Sequence, residues 1–177
     1  MAQNRYIKDY RLLETVDERG RIRTELEYIG DDYYFVRGLA AVRKDRKPVF
    51  PVCAAAWAAL IGGMLPNSAG MHTLYVSLPY LFTLLALGLL TETILTALPA
   101  KEPFEHRQAD RLTNRWPPAA LAAGILPCVS LLGELIRLLI GLPMNAGDGL
   151  LCLCAAIAAG CAFFLFARRK RFAVRKG

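Results

Sequence analysis

The chain has 177 residues, 55% of them apolar, and 22 Lys and Arg against 15 Asp and Glu give a formal net charge of +7. That length suits one compact unit, but the apolar residues gather in four long runs, a pattern that argues against a water-soluble globule. The basic excess is sorted by segment, which explains it without nucleic acid, so no nucleic-acid partner is expected.

The segment 1–47 is highly charged and precedes any apolar run, so no cleavable signal is expected. Within it the pattern has period two. Tyr10, Leu12 and Val16 alternate with polar neighbours, and Ile22, Leu26 and Tyr28 do the same after Asp17-Glu18-Arg19-Gly20. Glycine there can take the positive φ of a short hairpin loop, so the spacing predicts a β-hairpin with one apolar face. Gly30-Asp31-Asp32 predicts a further turn, leading into 33–36 as a third strand. So few strands are marginal alone in water, and the six apolar residues are candidates for docking on the membrane interface, the connector 99–117 or a partner protein.

Arg43, Lys44, Arg46 and Lys47 mark a membrane boundary, and Pro48 and Pro51 suit a helix start. The first span is expected at about 49–65. Ala55 with Ala59, Ala58 with Gly62, and Ala59 with Gly63 form small-xxx-small pairs that let a second helix approach closely. The second span, 71–98, contains Pro79 as a kink site and Glu92 among Thr91, Thr93 and Thr96. A carboxylate at membrane depth is a candidate functional group; alternatively it reaches the interface or bonds the threonines.

The connector 99–117 reads as a solvated segment with a turn or two of helix. Its Glu105, His106 and Asp110 lack a second cluster at metal-ligand spacing, and Trp116 suits an interfacial anchor. The third span, 118–142, carries Ser130, Glu134 and Arg137 on one side at helical spacing, so these groups need a protein neighbour rather than lipid. Its aliphatic residues, at about −0.3 to −0.6 kcal/mol each, nearly cancel two charges at up to about +2.5 to +3.5 kcal/mol each. Pairing of Glu134 with Arg137 along the helix is therefore expected, either as structural glue or as a substrate or proton site. The fourth span, 149–167, repeats the small-residue spacing in Ala155 with Ala159 and Ala156 with Gly160, so the first and fourth spans are expected to be tightly packed. Arg168, Arg169, Lys170 and Arg171 open a basic tail, 168–177, suited to anionic headgroups.

Eleven basic residues precede the first span, four lie between the second and third, six follow the fourth, and 66–70 and 143–148 contain none. By the positive-inside rule, both termini and the connector are cytoplasmic. All five cysteines lie within the spans, so a secreted disulfide framework is not expected.

No H-E-x-x-H, G-x-S-x-G, P-loop or dinucleotide fingerprint is present. The expectation is a mainly α polytopic protein of a plasma membrane, most simply bacterial, with four transmembrane helices and a small cytoplasmic hairpin. It is expected to be non-enzymatic, without cofactor or metal, and to serve as an accessory or scaffolding subunit that touches lipid and either a protein partner or further copies of itself. The alternative is a small oligomeric transporter or channel using Glu92, Glu134 and Arg137.

Overall fold

The computed structural model describes residues 7–16, 22–98 and 102–177, with the side chains of 7, 14–16 and 22–26 left aside. The hairpin loop with Gly20, and the side chains of Val16, Ile22 and Leu26, therefore lie outside the described residues. Strands β1 (Tyr10–Val16) and β2 (Ile22–Tyr28) form an antiparallel pair, in which Tyr10 faces Tyr28, Leu12 faces Leu26 and Val16 faces Ile22. The residues that alternate in the sequence thus become cross-strand partners, the unit from which a small sheet draws its cohesion.

The third strand, β3 (Tyr33–Phe35), does not extend this hairpin. It pairs antiparallel with β4 (Val174–Lys176) from the end of the chain, and Tyr33 also bridges to Phe104 of the connector. The tail is consequently a folded part of the protein: after a 3-10 turn at Arg169–Phe172 it returns as a strand. Both described ends of the chain and the connector meet at one end of the bundle, here termed the terminal end. The opposite one, with the turns 66–73 and 140–145, is the loop end.

Helix α1 (Leu39–Arg46) leads into α2 (Val49–Met64), followed by α3 (Leu74–Ala97), α4 (His106–Asp110), a π-helical turn at Arg111–Arg115, α5 (Trp116–Leu139) and α6 (Ala146–Arg168). Four helical runs, Leu39–Met64, Leu74–Ala97, His106–Leu139 and Ala146–Phe172, are long and apolar enough to cross a membrane. Helices α5 and α6 pack together, α3 lies along α5, and α2 lies along α6. The interior is lined largely by alanine, with Ala56, Ala59, Ala120, Ala123, Ala155, Ala158 and Ala162 buried, while Leu85, Leu89, Leu132, Leu139 and Leu153 point outward. Close backbone approach inside and bulky aliphatics outside suit helix packing in lipid, where small residues rather than large ones hold helices together.

Two boundaries differ from the sequence reading. Arg43, Lys44 and Arg46 belong to α1. The helical run of the third span begins at His106, twelve residues before the expected 118, so most of the connector is helix. Pro117 and Pro118 offer no N–H to the preceding turn, and the chain widens there into the π turn instead of breaking. Pro79 similarly leaves the Tyr75 carbonyl without its helical donor. Gly133 of α5 sits beside that carbonyl, where a Cβ would come within 3.2 Å of it.

The small-residue stripes are real but run on particular faces. Gly63 meets Tyr80 and Cys154, and Gly62 lies near the Cys154 sulfur. Ala59 is buried, whereas Ala55, Ala156 and Gly160 face outward and Ala155, Ala158 and Ala159 make the interior face of α6. Trp116 is not an interfacial anchor. It is fully buried, its Nε1 donates to the Leu165 carbonyl at 3.2 Å, and its ring stacks on Phe172 at 5.2 Å. Trp116→Ala is expected to destabilise the protein by about 3–5 kcal/mol, as for other large-to-small aromatic replacements. Trp116→Phe, which keeps the ring stack, should lose clearly less in detergent melts; equal losses would show that the indole N–H, not ring packing, is what matters there.

Candidate functional site

Charged and polar side chains collect in three places, and each is built by residues far apart in sequence. At the loop end, Glu134 and Arg137 project from the same side of α5 into the protein, with both side chains almost completely buried. Arg137 Nη1 donates to Glu134 Oε2 at 2.7 Å and lies 3.4 Å from Asp148 Oδ1 on α6. Asp148 is fully buried. Its Oδ1 accepts from the Ser68 hydroxyl at 2.6 Å and the Gly70 backbone N–H at 2.9 Å, and its Oδ2 accepts from the Asn145 N–H at 3.0 Å.

The Asn145 side chain accepts from the Asp148 N–H at 2.8 Å in return, so the pair forms a capping box at the start of α6. The Asn145 amide also donates to the Asn67 carbonyl at 3.0 Å. One carboxylate thereby caps a helix, neutralises an arginine and pulls the 66–70 turn over the bundle. Gly70 is obligatory in this arrangement because a Cβ there would fall on Glu134 Oε1. Ser130, one turn below Glu134, donates to the Val76 carbonyl of α3 at 3.1 Å.

The cluster holds two carboxylates and one guanidinium. Asp148 is satisfied as an anion by three donors besides Arg137, whereas Glu134 Oε1 and Arg137 Nε are buried without hydrogen-bond partners among the described residues. Chemically it is a staple joining α5, α6 and the 66–73 turn.

Glu92 belongs to a separate group toward the terminal end of α3. Its side chain is 44% exposed and ion-pairs with Arg111 at 2.9 Å. Arg111 also donates to Thr96 Oγ1 at 2.6 Å, and the Thr96 hydroxyl donates to the Glu92 carbonyl. The partner comes from the connector that the sequence reading left in solvent. Thr91 accepts from Trp57 Nε1 at 2.9 Å and so ties α2 to α3. Glu92 and Glu134 therefore occupy different networks, near opposite ends of antiparallel helices.

The third group mounts the hairpin on the bundle. Tyr10 donates to Glu105 Oε2 at 2.5 Å, the His106 N–H donates to the Tyr28 hydroxyl at 2.9 Å, and His106 Nδ1 lies 3.1 Å from Asp9 Oδ2. Tyr33 stacks on the His106 ring at 5.5 Å, and Glu102 accepts from the Phe35 N–H at 2.9 Å. Of the three surfaces on which the hairpin might rest, the connector is thus the one it meets in this fold. Glu105 and His106 are used as its anchors, while Leu12 remains 66% exposed.

The hydrogen bond from Tyr10 to the Glu105 carboxylate, followed by burial, pushes the phenol up to about 12, and burial pushes Tyr28 upward as well. In the tail, Arg171 pairs with Asp45 at 2.8 Å, Arg168 and Arg169 lie over the rings of Phe164 and Phe166, and Lys170 is exposed.

Compared with known proteins, the chain matches no family model, no curated protein and no solved structure.

Removing Arg137 alone, as Arg137→Leu, leaves two buried carboxylates facing each other and should cost about 3–5 kcal/mol. Glu134→Gln, which deletes the one carboxylate in excess, should be nearly neutral. Detergent melts of the two variants that ranked them in the opposite order would refute this charge count. Tyr10 makes a pH prediction. Because its folded pKa is raised, the folded state holds that proton more tightly, so its contribution to stability is complete below about pH 10 and declines as pH rises through about 12. In ultraviolet titration, Glu105→Gln should bring one of the late-titrating tyrosines back toward 10.

Proposed function

We propose that the chain is a non-catalytic accessory or scaffolding subunit of a plasma-membrane complex, most simply bacterial, with both termini and the connector in the cytoplasm. The observation that carries this reading is the pair of two-stranded sheets at the terminal end. They are anchored to the connector yet leave the edges of the β1–β2 hairpin unpaired among the described residues, with Leu12, Ile29 and Val36 exposed nearby in the chain. Open edges and apolar side chains on so small a sheet suit the addition of an extended segment from a partner protein.

The charge distribution supports the orientation. Arg43, Lys44, Arg46, Arg107, Arg111, Arg115 and the tail cations lie at or near the terminal end, whereas the turns 66–73 and 140–145 contain no Lys or Arg. The alternative, a small transporter, draws on the unpartnered Glu134 Oε1. The separation of Glu92 from Glu134 weighs against it.

A photocrosslinking residue at position 12 is expected to capture a defined partner in native membranes, and Leu12→Asp is expected to release that partner while leaving the melting temperature unchanged. A lone monomer without crosslinks would argue against the docking role. Equal loss of liposome flux in Glu92→Gln and Glu134→Gln would favour the transporter instead.

A further inference from the structure

A groove of about 390 Å³ opens sideways between α3 and the beginning of α5. Its trough is formed by Ala86 and Leu89 on one side and Ala119 and Ala122 on the other, while Glu92, Asn114 and Arg115 stand at its polar end. The alanines create the recess, since larger residues at these positions would fill it. Its size lies within the roughly 300–1,000 Å³ typical of small-ligand sites.

The polar end has an uneven charge balance. Glu92 is compensated by Arg111 at 2.9 Å, and the Asn114 amide is committed to Asp110 Oδ1 at 2.6 Å. Arg115 is exposed, and its side chain has no hydrogen bond or ion pair with any described residue. From Arg115 to Ala122 the helix rises roughly 10 Å, so a cation stands at one end of an apolar trough about as long as half an acyl chain. Leu74–Ala97 and His106–Leu139 are both long and apolar enough to cross a bilayer, and in one that they spanned, the groove would lie where the polar headgroup region gives way to hydrocarbon.

We infer that this groove binds an anionic phospholipid, with the phosphate at Arg115 and part of one acyl chain in the trough between α3 and α5. A neutral detergent would fill the same trough but leave the arginine charge unanswered, and a zwitterionic lipid would bring, together with its phosphate, an ammonium group that Arg115 and Arg111 disfavour, whereas a headgroup of net single negative charge answers the arginine without that repulsion. Basic recesses between membrane helices select anionic headgroups on the same grounds. The inference rests on residence in a bilayer and is independent of any protein docking on the hairpin.

The test is native mass spectrometry of the full chain in micelles holding equimolar dioleoylphosphatidylglycerol and dioleoylphosphatidylethanolamine. The glycerol lipid is expected to exceed the ethanolamine lipid in bound adducts by about fivefold, the effect of one well-placed cation. Arg115→Gln should bring that ratio close to one. Arg107→Gln, which removes an equal charge from an exposed position on the same helical run outside the groove, should leave it in place. Ala122→Phe should reduce adducts of both lipids. Phosphatidylglycerol should also raise the melting temperature of the unaltered protein and of Arg107→Gln, but not of Arg115→Gln. Equal binding of the two lipids, a preference for ethanolamine, a preference that survives Arg115→Gln, or equal losses from both arginine variants would each overturn the site.

Discussion

A guanidinium enclosed by helices must bring its counter-charges with it, because the desolvation cost of an isolated buried ion far exceeds what packing can return. Arg137 is in that position, and the loop end is arranged to answer it. Glu134 comes from the same helix, at the spacing where two side chains stand one above the other. Asp148 comes from α6 and in turn needs donors, which are the Ser68 hydroxyl and the N–H groups of Gly70 and Asn145. Satisfying one cation thus places the start of α6 and folds the 66–70 turn inward. The close approach is possible because Gly70 has no side chain to collide with Glu134.

The four apolar runs are legible from composition because an uninterrupted 20-residue stretch has few alternatives to a helix. The ends of the helical runs are less legible. Charged residues are ordinarily solvated, so 106–115 reads as a loop, yet Arg111 is buried because Glu92 and Thr96 of α3 lie within its reach. That contact belongs to the tertiary fold, and no local rule contains it. Trp116 is a similar case: its ring is apolar enough for a membrane interface or for an interior, and the nearby Leu165 carbonyl and Phe172 decide between them. The small-residue stripes suffer from a different ambiguity. In an alanine-rich helix such as α6, several adjacent lines satisfy the four-residue spacing, so the sequence marks a packing helix without marking its packing face.

The charged sites divide along the same line. Spacing alone brings Glu134 and Arg137 together, and alternation alone brings Tyr10 opposite Tyr28 and Leu12 opposite Leu26. Asp148 lies in a segment whose lack of Lys and Arg is its plainest feature, although Asn145 and Asp148 at a spacing of three are a readable, if short, helix-start signal. Nothing local foretells that β3 would pair with the last residues of the chain rather than with β2. Three-residue strands carry too little pattern to choose a partner, and the choice falls to Phe35, whose burial against Phe104 holds the strand beside the connector.

The two ends of the bundle are consequently built on opposite principles. At the loop end, most of the polar groups are paired with one another, and the turns 66–73 and 140–145 are short. At the terminal end, short β segments are held by tyrosine hydroxyls, a histidine and salt bridges, leaving edges and several apolar side chains open. A fold that finishes one end and leaves the other incomplete concentrates its capacity for interaction where the cations also lie. Both the lateral groove at Arg115 and the hairpin edge fall on that side, so the two proposed contacts, with lipid and with a partner, would share the terminal end.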